Sequence, residues 1–241
     1  GRSIPEDYVE YANANSDIWT TVSCHGGGFT DEQLDVIYRL KRFSLSELIT
    51  HQRTDLWEIR DWFWKLKDRY GGTPRLCVHF LRANDSCGSD CYLTREDVDA
   101  FYHHMAHEVI PMARFGDPWA IWQCSQQIYE IDRYRRQPRG AMCVRPDRLS
   151  IDMHGNIYEC HHDFSAGNVV GNVFSRRKTI PIRPEWKKPG RFWNTKECQS
   201  CPVEIQSFCR GGCYLSNTHS IDCYLSHKRF SLYQQMKEIF R

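Results

Sequence analysis

The chain has 241 residues, 41% of them hydrophobic and 26% charged, enough for one large globular domain or two small ones. A net charge of +2 with no basic run gives no argument for nucleic acid as a partner. No apolar stretch reaches the length of a membrane span and no secretory apolar segment opens the chain, so the expectation is a cytoplasmic protein acting away from membranes.

In chain order, Ile18–Cys24 is short and β-branched and predicts a strand running into the turn His25-Gly26-Gly27-Gly28. Thr30, with Gln33 at the capping-box position, predicts the start of a helix carrying Leu34, Ile37 and Leu40. Phe43–Thr50 is a second predicted strand. Thr54 can cap a helix whose stripe is Leu56, Ile59, Phe63, Leu66 and Tyr70, ended by Gly71-Gly72. Leu76–Leu81 reads as a buried strand, and Thr94 with Asp97 opens a long helix carrying Val98, Phe101, Met105 and Val109. This alternation predicts parallel β/α units with right-handed crossovers, with too few strands to close an eight-stranded barrel. A further helix over Ala120–Arg135 leads to the link Arg135-Arg136-Gln137-Pro138-Arg139-Gly140, which places a boundary between residues 1–135 and 136–241. Beyond it, Leu149–Met153 and Ile157–Cys160 flank His154-Gly155-Asn156 as a short hairpin, and a Pro- and Lys-bearing loop over Ile180–Gly190 precedes a dense cysteine segment.

The 12 Cys are scattered singly in the first half and bunched near the end. Disulfide frameworks belong to short secreted chains with too little core, whereas this chain is rich in Trp, Tyr and Phe; tight pairs read instead as metal ligation in a reducing compartment. Residues 198–213 read CQSCPVEIQSFCRGGC, or CX2CX7CX3C, and Cys223 follows after nine residues. Upstream, Cys143, Gly155 and Cys160 stand as CX11GX4C. Seven thiols in two separated groups converge only if the intervening chain folds back, which metal ligation would enforce. Soft thiolates select iron–sulfur clusters or zinc; the CX3C with an interposed Gly-Gly fits a zinc knuckle less well than a cluster site. Gly211 and Gly212 allow a tight turn that aims backbone amides at cluster sulfides.

This pattern resembles the SPASM domain, the auxiliary-cluster domain that follows the catalytic barrel in a large branch of radical SAM enzymes, including sulfatase and peptide maturases. One spacing departs from the family, with seven residues where it has five. LSIDMHGNIYEC, Asn168–Val173 (NVVGNV) and the Cys-Arg-Gly-Gly-Cys core are also similar to the family, and the resemblance covers about residues 136–235. It is weaker upstream, where Val22–Gly27 (VSCHGG) resembles a barrel strand end and HFLRA…YLTRED a later strand–loop–helix. The resemblance implies a partial (β/α) barrel followed by an irregular, cysteine-rich domain with a β-hairpin. It implies two [4Fe–4S] clusters, the first on Cys143, Cys160 and Cys213, the second on Cys198, Cys201, Cys209 and Cys223. Sulfatase maturases have a fourth Cys between those matching Cys143 and Cys160; this sequence has none, so that position is open, met by substrate, or held by another side chain. The resemblance further implies S-adenosylmethionine and a third [4Fe–4S] cluster in the complete enzyme, a peptide or protein substrate, and a reductant such as flavodoxin or ferredoxin. Ser23 stands where family barrels place a Ser near S-adenosylmethionine, or is an ordinary strand-end hydroxyl. His161 occupies the position of a maturase's catalytic Asp, and either serves as base or belongs to a polar loop or a hydrogen bond beside the cluster.

The family's CX3CX2C motif is missing: Cys87 and Cys91 are followed by Thr94, on a late loop. With Gly1 in place of an initiating Met, the simplest expectation is that the first half of a barrel precedes this sequence; a split enzyme or a degenerate partner protein is the alternative. Lacking that motif, the chain alone would not cleave S-adenosylmethionine. The competing readings are an electron-transfer or substrate-binding iron–sulfur subunit and a zinc-stabilised interaction module. Cys24, Cys77 and Cys124 read as core thiols. Cys87 and Cys91 would make a poor two-ligand metal site. His103, His104 and His107 share one helix, and His103 and His107 one face of it, half a zinc site that without a third ligand reads as a solvated face.

Overall fold

The computed structural model describes residues 4–24, 29–51, 55–80, 93–135, 150–152, 154–158, 169–174, 199–202 and 219–241. The chain forms two compact units, one comprising Gly1–Leu81 and Glu96–Gln126, the other Arg82–Arg95 and Gln127–Arg241. Among the described residues no helix is long and apolar enough to cross a membrane.

The first unit opens with α1 (Glu6–Ala14), whose acidic first turn, Glu6 and Asp7, complements the helix dipole. β1 (Thr20–Cys24), β2 (Phe43–Ile49) and β3 (Leu76–Phe80) then build a parallel sheet in sequential order. Between them run α2 (Asp31–Tyr38) and α3 (Leu56–Tyr70). The start of α2 is a complete capping box: the Thr30 hydroxyl accepts from the Gln33 amide at 3.3 Å, and the Gln33 side chain accepts from the Thr30 amide at 3.0 Å. Asp55, one residue beyond the expected Thr54, caps α3 by accepting from the Trp57 amide at 2.8 Å; Thr54 itself lies outside the described residues. Gly71, at φ +71°, ends α3 in a conformation that favours glycine.

Alternation along β2 separates the two faces of the sheet. Phe43, Leu45 and Ile49 are buried on one face with Leu76 and Val78 of β3, and Leu34 and Ile37 of α2 and Leu56, Ile59, Phe63 and Leu66 of α3 are buried with them. Tyr38 of α2 meets Phe43 edge-on at 4.9 Å and stacks on Tyr70 of α3 at 3.5 Å, so both helices cover that face. Arg69 grips Asp35 through two nitrogens, at 3.0 and 2.7 Å, tying α3 to α2; that contact, joined by the Tyr70 hydroxyl, holds the Asp35 carboxyl below its usual range.

α4 (Arg95–His104) continues through a π turn, Met105–Val109, into α5 (Ile110–Arg114). The long helix read from the sequence is interrupted by Pro111, which has no N–H for the His107 carbonyl and whose ring crowds it; the wider turn accommodates both. α6 (Pro118–Arg135) starts two residues earlier than its apolar pattern suggests, because the Asp117 carboxylate accepts from the Ala120 amide at 2.9 Å and Pro118 occupies the first turn. An aromatic cluster completes the core of this unit: Trp119 is buried and lies 5.8 Å from Trp57, and Trp122 lies 5.1 Å from Phe63.

The second unit contains an antiparallel sheet of β4 (Ser150–Ile151), β5 (Asn156–Tyr158) and β6 (Gly171–Asn172), with β5 in the middle. The 20-residue α7 (His219–Glu238) buries Leu225, Leu232, Tyr233 and Met236. Within this unit the Tyr233 hydroxyl donates to Asp132 near the end of α6.

Candidate functional site

The other face of the parallel sheet carries Thr21 and Ser23 of β1, Ser44 and Ser46 of β2 and Cys77 of β3. Pairing aligns Ser23 of β1 with Ser46 of β2, and Ser46 with Cys77 of β3, making a hydroxyl–hydroxyl–thiol row across all three strands. Ser23 is exposed, Ser46 buried and Cys77 half-buried. One row nearer the strand starts, the Thr21 and Ser44 hydroxyls are 3.3 Å apart and the Trp19 indole donates to Ser44 at 3.3 Å. The Ser23–Ser46–Cys77 row crosses the sheet obliquely to its ends: Ser23 is next to last in β1, Ser46 is at the middle of β2 and Cys77 is second in β3. Sequence reasoning singled out Ser23 alone; Ser46 was legible in the alternation of Phe43–Ile49. Cys77, expected in the core, stands on this polar face instead, whereas Cys124 is fully buried and burial pushes its thiol up to about 12.

Two further groups near the strand ends were not anticipated. Glu47 is buried on the helix-covered face, beside Val78 in register. His51, just past β2, places Nδ1 2.8 Å from an Asp97 carboxylate oxygen in the first turn of α4. Donation from Nδ1 to that carboxylate fixes the ring and leaves Nε2 for a proton or a ligand.

In the second unit the hairpin is organised by Asp152. One of its carboxylate oxygens accepts from the amides of His154 and Asn156, at 2.8 and 2.9 Å; the other accepts from the Asn156 side chain and the Tyr158 hydroxyl, each at 2.9 Å. Burial raises the pKa of this carboxyl, but those four donors outweigh it and bring the value down to about 2. The turn closes with the Gly155 amide donating to the Asp152 carbonyl at 3.0 Å, and Gly155 has φ +75°. A Cβ there would lie 2.7 Å from exposed side-chain atoms of Val173 and Phe174, which would have to move aside, while the positive φ itself favours glycine.

Of the seven expected thiolate ligands, Cys201 and Cys223 are described. Cys201 is half-buried in the short segment at residues 199–202, and Cys223 is half-buried in the second turn of α7. Both belong to the second unit, and their sulfurs are donors of the kind iron–sulfur clusters take. Cys143, Cys160, Cys198, Cys209 and Cys213 lie outside the described residues, as do His161, Cys87 and Cys91. Among the described residues no three His, Cys, Asp or Glu side chains gather in a way that could hold a metal ion. On α4 and its π turn, the His103 and His107 rings stand 4.4 Å apart, and His104 Nδ1 lies 2.7 Å from a Glu108 carboxylate oxygen.

Comparison of the chain with known protein families, with curated proteins and with solved structures finds no match.

Proposed function

We propose that this chain is the C-terminal portion of a cytoplasmic radical SAM/SPASM enzyme that modifies a peptide or protein side chain. The single observation that carries the proposal is the spacing CX11GX4C…CX2CX7CX3C…C, with Gly155 at a positive φ in the hairpin turn. Cys143, Cys160 and Cys213 would hold one [4Fe–4S] cluster, and Cys198, Cys201, Cys209 and Cys223 a second. Bound clusters of this kind supply one-electron redox chemistry and an iron site open to substrate. The chain's own residues would hold and orient: the Asp152-braced hairpin fixes the turn that ends at Gly155, five residues ahead of Cys160, and α7 presents Cys223 from a helix anchored by buried Leu225 and Leu232. Ser23 would offer a hydroxyl to S-adenosylmethionine, and His161 would take a proton from the substrate. The sequential parallel sheet, with helices on one face and a polar row on the other, supports the reading of residues 1–135 as part of a barrel.

The absence of CX3CX2C from these 241 residues favours, as a second reading, an iron–sulfur subunit that carries electrons or binds substrate without radical chemistry of its own. Inspection of the coding sequence upstream of Gly1 for that motif separates the two. For the cluster assignment itself, iron and acid-labile sulfide are measured in anaerobically purified protein. The expected content is about eight of each per chain, falling to about four in Cys201→Ala. Zinc in place of iron, or iron content unchanged in that variant, overturns the assignment.

A further inference from the structure

We propose that His103 and His107 form a chelating pair for a divalent transition-metal ion of the zinc, nickel or copper class. Imidazole nitrogens suit these ions, and a single ion sits about 2 Å from each nitrogen it binds. The two rings are exposed and their centroids are 4.4 Å apart with a 42° tilt, a separation one ion can bridge after small rotations of the rings. An α-helix completes a turn in about 3.6 residues, so a residue four further on overshoots its partner. The slower winding of the π turn forced by Pro111 swings His107 back into line with His103.

The opposite side of the same segment is held in the core. Phe101, Met105 and Val109 are buried, so the pair stands on a rigid backbone. His104 is engaged with Glu108 on an adjacent stripe. Two protein ligands leave the remaining positions to water, which makes this an open, exchangeable site. It is independent of the thiolate clusters, being built from different residues in the first unit.

The test is a Zn2+ titration of the full chain, followed through the histidine ring resonances in long-range proton–nitrogen NMR, with His103→Gln and His107→Gln as the variants. Reading individual imidazoles keeps zinc taken up by cysteines from being mistaken for this site. The His103 and His107 resonances are expected to move together and saturate below about 1 mM zinc, while His51 and His104 stay in place. In each single variant the remaining histidine should need at least about tenfold more zinc, the mark of chelation rather than two separate ligands. Far-UV circular dichroism checks that these exposed substitutions leave the fold intact. Unmoved resonances at about 1 mM zinc, or an equal response of the surviving histidine in the single variants, would overturn the proposal.

Discussion

Gly155 is the residue on which the hairpin turns. Gly155→Ala places a Cβ in the left-handed region and against Val173 and Phe174. Both neighbours are well exposed and can move aside, so the backbone term dominates and the expected loss is about 1–3 kcal/mol, measured by chemical denaturation of the second unit. Asp152 gives the same turn a pH signature. Its carboxyl titrates at about 2 in the fold against an ordinary 3.8, so its stabilising contribution is complete above the ordinary value and disappears as pH falls through 2. The difference in melting temperature between the natural chain and Asp152→Asn should therefore be constant from neutral pH to about 4 and shrink below it. A pH-independent difference would show that the charge of Asp152 is not what braces the turn. Cys124, buried and held as the neutral thiol, should resist alkylation in the folded protein and react only after unfolding, as mass spectrometry of iodoacetamide-treated protein would reveal.

Elements were legible in the sequence wherever a local signal matched the outcome. The β-branched run of β1, the Thr30–Gln33 box of α2 and the stripe of α3 all pointed to the elements that form. α7 went unread because its buried positions, Leu225, Leu232, Tyr233 and Met236, are sparse and lie beside conspicuous cysteines. The π turn was equally hidden, since the apolar periodicity through Val98, Phe101, Met105 and Val109 continues across it and only Pro111 betrays the change of winding. Asp97 was read as a helix-start residue, and its pairing with His51, 46 residues away in the chain, has no local signature. In the second unit, α7 is fastened to the end of α6 by the Tyr233 hydroxyl on Asp132. Tyr233→Phe keeps the buried ring and removes that donor, and equilibrium unfolding should register a loss of about 1–2 kcal/mol.

At the scale of the whole molecule, the two units draw on different sources of stability. The first has an ample core, with Leu34, Leu45, Phe101 and Trp119 wholly buried, and should fold without metal. The second has short strands and depends, in the proposed reading, on thiolate ligation for part of its folding energy. Calorimetry before and after treatment with an iron chelator should therefore lower one transition and leave the other in place; a single transition that shifts as a whole would contradict that division. The cysteine spacing that carries the functional proposal was visible in the sequence, while the hydroxyl–thiol row needed the register of three strands to assemble it.

The placement of tryptophan gives each unit its own optical clock. Six of the eight indoles, those of Trp19, Trp57, Trp62, Trp64, Trp119 and Trp122, fall in the first unit. Ultraviolet emission is then chiefly a record of that unit, while visible colour from any bound iron would belong to the other. One stopped-flow trace at two wavelengths can thus time the collapse of each half without a label being added to either.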